Sequence, residues 1–194
     1  MANLETSPAG ADPGDVIIRR LLPDEWRALR EIRLTALREA PSAYGATYEQ
    51  TAALPDREWQ RWLERDSARS AMFGARFGAD RPGTDRTLVG LCGGWADQAA
   101  ESGEDSAPAV DLVFMWVSPS ARRRGLGVAL VEEVLAWART QGAERVHLRV
   151  TDGNVPAERL YARCGFVRTG EQVPHPSDPR LVKADMVRPL RSSS

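Results

Sequence analysis

The sequence has few cysteines, no excess of basic residues and no long apolar run, and each absence excludes a class of protein. Its 194 residues include only two cysteines, Cys92 and Cys164, which are too few to indicate a disulfide framework or a zinc site. Lysine and arginine (26) are balanced by aspartate and glutamate (27), whereas a nucleic-acid binder normally carries a basic excess. No apolar stretch approaches the length of a bilayer span. We therefore expect no metal, nucleic-acid or membrane partner, and a reduced, cytoplasmic setting.

The first residues of the sequence differ in composition from the rest. Residues 1–14 lack the basic start and apolar run of a signal peptide, and their small residues and prolines are typical of a disordered leader. A hydrophobic content of 42% and the chain length suit one sizeable core. We predict a single domain over residues 15–190, followed by a short tail at 191–194.

Hydrophobic periodicity predicts an α+β fold, an α/β sandwich with a central mixed sheet that is mostly antiparallel. About seven strands and about four helices are expected. The strands are placed at residues 16–21, 71–77, 87–95, 110–117, 144–150, 166–171 and 181–187. The helices begin near residues 23, 55, 124 and 154. The strand at 110–117 is nearly all apolar, which predicts burial on both faces.

A short turn with three consecutive arginines follows the strand ending at Val117, and Gly125-Leu126-Gly127 opens the next helix. Cations are unfavourable at a helix N-terminus by a few tenths to roughly 1 kcal/mol each, and glycine weakens a helix by about 1 kcal/mol. A turn that carries both penalties is suited to an anion, because glycine exposes backbone N–H groups that arginine can support. The residues themselves therefore predict a pyrophosphate site.

Three segments of the chain, in strand–helix context, resemble the GCN5-related N-acetyltransferase (GNAT) superfamily. The family's cofactor motif matches Arg122-Arg123-Arg124-Gly125-Leu126-Gly127. Its second motif matches Asn154-Val155-Pro156-Ala157-Glu158-Arg159-Leu160-Tyr161-Ala162-Arg163-Cys164-Gly165-Phe166. An early segment, Ile32-Arg33-Leu34-Thr35-Ala36-Leu37 with Pro41 and Tyr44-Gly45, is similar to one bacterial branch. The resemblance covers roughly residues 15–190.

This resemblance implies the GNAT fold and an enzyme that transfers acetyl from acetyl-CoA to a primary amine of a small molecule or peptide. Transfer would occur by direct attack in a ternary complex, and dimers are common in the family. The implied cofactor-binding residues are Met115, Trp116, Val117, Arg122, Arg123, Arg124, Gly125, Leu126, Gly127, Val128, Asn154 and Tyr161. The acceptor is not identified by the sequence.

The resemblance also implies three catalytic groups. The Val117 N–H would polarise the thioester carbonyl, and Tyr161 would be the general acid, because a phenol is protonated at neutral pH. Asp111 is the candidate general base, six residues before Val117 as in the histone-acetylating branch, with a solvent-facing carboxylate as the alternative. In an ideal strand Asp111, Val113, Met115 and Val117 share one face, and a bulge would change that parity.

Other chemistry-bearing residues have simpler interpretations. His147 alternates with apolar neighbours and is expected to face outwards, with a proton relay as the alternative. His175 lies between two prolines and is predicted to be a solvent-exposed turn residue. Cys164 is predicted to be a small core residue rather than a nucleophile. The acidic loop at 97–105 is expected to be solvated, or else to attract a cationic amine.

The sequence allows comparison of acetyl transfer with two other functions. A protein of this fold could hold acyl-CoA without turnover, as a sensor or regulatory module; the uncertain base favours this alternative and the matching Tyr161 opposes it. A P-loop or Rossmann site is excluded, because no Lys-Ser/Thr follows the glycines and the motif comes after several strands.

Overall fold

The computed structural model describes residues 16–64, 69–78, 87–96 and 108–190. Within them, seven strands form one sheet in the order β1-β2-β3-β4-β5-β7-β6. The strands are β1 Val16–Arg20, β2 Ser70–Phe77, β3 Gly90–Ala96, β4 Ala109–Val117, β5 Arg145–Thr151, β6 Val167–Pro174 and β7 Val182–Pro189. The α-helices are α1 Trp26–Glu39, α2 Tyr48–Ala52, α3 Asp56–Arg61, α4 Leu126–Thr140 and α5 Val155–Arg163. The predicted leader, acidic loop and tail lie outside the described residues.

The α+β fold with a mixed, mostly antiparallel seven-stranded sheet is confirmed. Only the β4–β5 pair is parallel among the strand pairs of the described residues. Helix α4 is the crossover that makes this possible, because it returns the chain to the end of the sheet where β4 began. The next crossover differs, since β5 pairs with β7 and β6 lies outside β7.

The first helices follow from local signals. Pro23 opens a 3-10 turn, and the Glu25 carboxylate accepts a hydrogen bond from the Leu22 N–H at its start. Helix α1 then buries residues at helical spacing: Leu29, Ile32, Ala36 and Leu37. The short helix α2 was not predicted. Its signal is a capping box, in which Thr47 accepts from the Gln50 N–H and the Gln50 side chain accepts from the Thr47 N–H.

Two apolar layers cover the two faces of the sheet. Helix α4 packs on one face through residues such as Leu130, Val131 and Val134, which are fully buried. Helices α1 and α3 pack on the other face, where Leu29 and Trp59 are fully buried. None of the helices in the described part of the chain is both long enough and apolar enough to span a bilayer.

A β-bulge in β4 changes which side chains share a face. Phe114 has a positive φ of 60°, and the register with β3 shifts where Leu91 pairs with Trp116 but Gly93 pairs with Val113. Val113 and Trp116 therefore both pack on the α1 layer, whereas Met115 and Val117 pack on the α4 layer. The shared face of Asp111 and Val117, expected for an ideal strand, is therefore not observed, and the alternative of a bulge that changes this parity is.

Candidate active site

Strands β4 and β5 separate part-way along their length and open a cleft in the sheet. Their parallel pairing runs from Ala109 opposite Arg145 to Asp111 opposite His147 and then stops. The later residues of β4 lack a strand partner on that side, and residues 113–115 are only half-buried. The prediction that β4 is buried on both faces is therefore wrong here, because the cleft replaces the neighbouring strand.

A first cavity of about 540 Å³ fills the outer part of this cleft. We call it the donor cavity. It is lined by the end of α1, the end of β4, the turn before α4, and α5. All of the sequence-predicted cofactor residues except Arg124 line it: Met115, Trp116, Val117, Arg122, Arg123, Gly125, Leu126, Gly127, Val128, Asn154 and Tyr161. The structure thus brings together residues from two distant motifs.

The turn before α4 presents backbone donors to the donor cavity. Gly125 is the N-cap, with a φ of 80° that suits glycine, and it supplies no side-chain cap. The first N–H groups of a helix have no partner within it, so those at residues 126–128 remain available to an anion. A Cβ at Gly127 would lie 3.1 Å from a methyl of Leu160, so this glycine also allows α5 to pack closely.

The three arginines of the turn point in different directions. Arg122 donates to the Val117 carbonyl at 2.9 Å and to both Glu39 carboxylate oxygens at 2.7 Å. Arg123 lines the donor cavity and has a φ of 65°, a left-handed conformation that costs an L-residue roughly 1–2 kcal/mol. The Arg124 guanidinium lies 5.5 Å from the ring centre of Phe77, outside the cavity lining.

Sequence analysis missed three charged residues of the donor cavity. Arg159 and Arg163 lie one turn apart on α5 and line the cavity; their i, i+4 spacing within the second motif was the available signal. Glu39, at the end of α1, accepts from both Arg122 and the Trp116 indole. No local pattern indicates this contact, because Glu39 and Arg122 are distant in the sequence.

The Val117 N–H points towards the cleft. Ser118 N–H donates to the Val89 carbonyl at 2.8 Å, on the β3 side of the strand. Successive residues of an extended strand direct their N–H and C=O groups to opposite edges. The Val117 amide therefore faces the open edge, where its carbonyl is bound by Arg122.

Tyr161 lies in α5 at the inner end of the donor cavity. Its side chain is buried at 8% exposure, and the aromatic ring of Phe166 packs against it edge-on at 6.0 Å between ring centres. Burial, and then the neighbouring Cys92, Tyr44 and Cys164, raise the pKa of the phenol well above its usual value. The hydroxyl therefore stays protonated and can donate a proton.

A second cavity of about 380 Å³ shares lining residues with the donor cavity, among them Tyr44, Met115 and Tyr161, and we call this shared wall the junction. We call it the inner cavity. Asp111 lines it, at the point where β4 and β5 separate. Tyr44 fixes the junction, because its hydroxyl donates to the Met115 carbonyl at 3.1 Å. Two non-glycine residues of the described chain have positive φ, Phe114 and Arg123, and each lines one of the two cavities, where backbone strain typically marks function.

Because the first helices flank the acceptor site in the GNAT family, their aromatic residues Tyr44, Tyr48, Trp26 and Trp59 are candidates for lining it, with core packing as the alternative, and they divide between these two positions. Tyr44 lines both cavities. Trp26 and Trp59 are core residues, at 8% and 0% exposure, and Tyr48 lines a separate surface pocket. Cys164 is buried at 3% exposure, as predicted for a small core residue.

Neither histidine lines the two cavities. His147 lies on β5, where its Nε2 accepts from Arg145 at 2.9 Å and its Nδ1 lies 3.7 Å from Asp185. The prediction that His175 is solvent-exposed is wrong, because its side chain is 3% exposed. The loop folds inwards there, and the backbone N–H of His175 donates to the Leu181 carbonyl. Across the described residues, no cluster of His, Cys, Asp or Glu has the composition to hold a metal ion.

The sheet order and the split strands define a fold class that solved structures share. An acetyltransferase of the GNAT family from Streptococcus pneumoniae superposes with a TM-score of 0.72 at 21% identity, over 90% of this chain and 99% of its own. The structure of yncA from Salmonella typhimurium, a putative acetyltransferase with its cofactor acetyl-CoA, superposes with a TM-score of 0.71 at 18% identity, over 93% and 97%.

Residues 26–166 match the model of the acetyltransferase (GNAT) family, and the chain belongs to that family. Its resemblance to the family, inferred from the motifs, is confirmed. The mycothiol acetyltransferase of Acidothermus cellulolyticus is 32% identical over 172 residues, which cover 83% of this chain and 47% of the relative. The chain spans less than half the length of the curated relatives it matches first.

Proposed function

We propose that the chain transfers acetyl from acetyl-CoA to a primary amine by direct attack, with the donor in the donor cavity and the acceptor in the inner cavity. The observation that carries this proposal is the junction of the two cavities at Tyr44, Met115 and Tyr161. A donor and an acceptor bound in these cavities would both contact these three residues. Family membership supplies the donor, since GNAT acetyltransferases use acetyl-CoA.

The residues of the donor cavity fit a CoA thioester. Free N–H groups at the start of α4 suit the pyrophosphate. Arg122 is neutralised by Glu39, so the net positive charge comes from Arg123, Arg159 and Arg163. The open edge of β4 offers backbone groups to the amide-rich pantetheine arm, and the cleft between β4 and β5 gives that arm a path through the sheet.

The reaction needs one polarising group and two proton carriers. The amine nitrogen attacks the thioester carbonyl carbon while the Val117 N–H stabilises the oxygen that becomes negative. The C–S bond then breaks, and Tyr161 gives its proton to the leaving sulfur. The proton lost by the amine passes to Asp111, directly or through water, since Asp111 lines the cavity assigned to the acceptor.

Thiol release from acetyl-CoA, measured with amino acids, polyamines, aminoglycosides and peptides as acceptors, tests the proposal. We expect acceptor-dependent release of CoA and a matching N-acetylated product by mass spectrometry. Initial-rate patterns should intersect, because direct attack requires both substrates to be bound together. A control reaction without acceptor sets the rate of simple thioester hydrolysis.

Tight acetyl-CoA binding without turnover of any acceptor would contradict the proposal and favour the sensor. Parallel-line kinetics with a covalently acetylated protein would contradict direct attack while leaving acetyl transfer intact.

A further inference from the structure

Arg33 is a buried cation with unpaired donors in the wall of the inner cavity. It lies on α1, is 3% exposed, and lines the inner cavity. Its guanidinium is held between two rings, 4.2 Å from the centre of Tyr44 and 4.4 Å from that of Phe114. Its Nε and Nη1 atoms are buried and have no hydrogen-bond partner among the described residues.

The two rings do not replace the hydrogen bonds that this group has lost. Stacking satisfies the faces of the guanidinium, but its N–H groups lie in its plane and need acceptors there. Burial lowers the pKa of Arg33 to about 10, against a smaller opposing effect from Tyr44, so the group is still charged near neutral pH. A buried charge without hydrogen bonds is costly, and a planar anion such as a carboxylate would satisfy it.

The other charges of the inner cavity also favour an anion at this end. Lys183, on β7, is 9% exposed and its ammonium lies 3.5 Å from the Ala43 carbonyl. Arg33, Arg149 and Lys183 all line the inner cavity, and burial, followed by the charges of the two arginines, lowers the pKa of Lys183. Asp111 is the carboxylate among the described lining residues. The cavity thus has a positive region with one acid at the separation of β4 and β5.

The inner cavity has the dimensions of a small-molecule site. About 380 Å³ lies near the lower end for small-molecule sites, roughly 300–1,000 Å³. Trp95 and Phe114, whose ring centres lie 5.2 Å apart, supply an apolar wall. Tyr44 contacts the Arg33 guanidinium and also lines both cavities. The unpaired donors of Arg33 therefore lie next to a residue of the junction.

We infer that the acceptor is a small amine that also carries a carboxylate, of the α-amino acid type, and that Arg33 binds the carboxylate with support from Lys183. The inference rests on the proposed function and adds its substrate class. Arg33 is then a specificity residue: it orients the acceptor so that the amine reaches the junction beside Tyr161. The same positive region favours the neutral amine over the ammonium form, and it disfavours polycationic acceptors such as aminoglycosides.

Matched acceptors test the carboxylate directly. The standard amino acids are supplied at saturating acetyl-CoA as free acids, as carboxamides and as decarboxylated amines, and kcat/KM is measured for each. We expect the free acid to exceed its amide and its decarboxylated amine by roughly 10- to 100-fold, the effect of one charge-assisted contact. The best acceptor's N-acetyl product is then titrated into the protein–CoA complex as acid and as amide.

Arg33→Met should abolish the preference for the free acid by raising KM for that acceptor towards that of its amide. Its melting temperature should be equal to or above that of the unmodified protein, since an uncompensated buried charge is removed. Arg27→Met is the matched control, because Arg27 stacks on Trp26 at 4.2 Å on the same helix and does not line either cavity. Lys183→Met gives a second probe on another element.

The outcomes separate this inference from the proposed function. Equal kcat/KM for acid and amide, or a preference that survives in both Arg33→Met and Lys183→Met, would overturn the carboxylate site and leave acetyl transfer standing. Equal binding of acid and amide by the protein–CoA complex would overturn it even without turnover. Preferential binding of the acids together with no turnover of any acceptor would support the site and contradict the proposed reaction.

Discussion

At the scale of single residues, burial extends to higher pH the range in which the Tyr161 phenol stays protonated. The phenol is 8% exposed and its pKa is raised by that burial, so it keeps its proton throughout the working range of pH. Its side chain makes no hydrogen bond with the described residues. The position suits a donor whose partner is the leaving sulfur.

Tyr161→Phe is expected to lower kcat by roughly 10²- to 10⁴-fold, the usual contribution of a general acid, with little change in KM for acetyl-CoA. Because the phenol does not titrate between about pH 6 and 9, the loss should be the same factor across that range. The measurement is a pH profile of kcat for both proteins. Tyr48→Phe is the control, since Tyr48 lines a separate pocket; equal turnover by both variants would remove Tyr161 from the mechanism.

At the scale of elements, the turn between β4 and α4 has two kinds of arginine. Arg122 is bound to Glu39, which ties the end of α1 to the turn, and so its charge is already compensated. Arg123 faces the donor cavity, whereas Arg124 stacks on Phe77 of β2. Only one of the three therefore adds uncompensated charge to the donor cavity.

Arg123→Ala is expected to weaken CoA binding about tenfold, because one charge-assisted contact to phosphate is worth roughly 1.5–3 kcal/mol before screening. Arg124→Ala should change the dissociation constant by less than about threefold and act on the Phe77 contact instead. Calorimetric titration of CoA at low salt measures both. A larger loss in Arg124→Ala than in Arg123→Ala would contradict the assignment of charges in the turn.

At the scale of the whole molecule, one buried carboxylate connects the start of α1 to strands β1 and β2. Glu25 accepts from Arg19 of β1 at 2.7 Å and from Arg76 of β2 at 2.6 Å, just before α1 begins. Burial by itself would raise the pKa of Glu25, but hydrogen bonds from Arg19, Arg76 and the Leu22 N–H outweigh it and lower the pKa to about 2. The folded state therefore favours the ionised form.

A lowered pKa in the folded state contributes stability that is complete above the unfolded value near 4.5 and is lost as the pH falls towards 2. Glu25→Gln should lower the free energy of unfolding at pH 7 by on the order of 3 kcal/mol. Its stability should also fall less steeply between these two pH values. Urea denaturation at several pH values measures both effects.

The control for that experiment is Glu58→Gln. Glu58 forms an exposed pair with Arg61 at 3.2 Å, one turn along α3, and such pairs contribute about 0–1 kcal/mol. Equal losses in the two variants, or an unchanged acid limb in Glu25→Gln, would show that the Glu25 cluster does not stabilise the fold.

Local sequence patterns were sufficient for most of the fold. Alternation predicted β5, where Val146, Leu148 and Val150 are buried, and the Asn154 cap begins α5 as expected, its side chain accepting from the Ala157 N–H. These signals depend on neighbours a few residues away, which is why they are readable from the chain. The order of β5, β7 and β6 is set by pairing between distant residues, and the sequence does not encode it locally.

The sequence by itself determined the family, the strand–helix order and the arginine–glycine turn, because each is a pattern of adjacent residues. The tertiary structure decided which of those residues meet. A bulge at Phe114 places Asp111 and Val117 on different faces of β4. Arg124 stacks on Phe77 instead of lining the donor cavity, and the loop that carries His175 folds inwards and buries it. Arg33 belongs with these, since in the sequence it is one residue of an amphipathic helix. Only the packing of α1 against Tyr44 and Phe114 leaves its donors buried and unpaired beside the inner cavity.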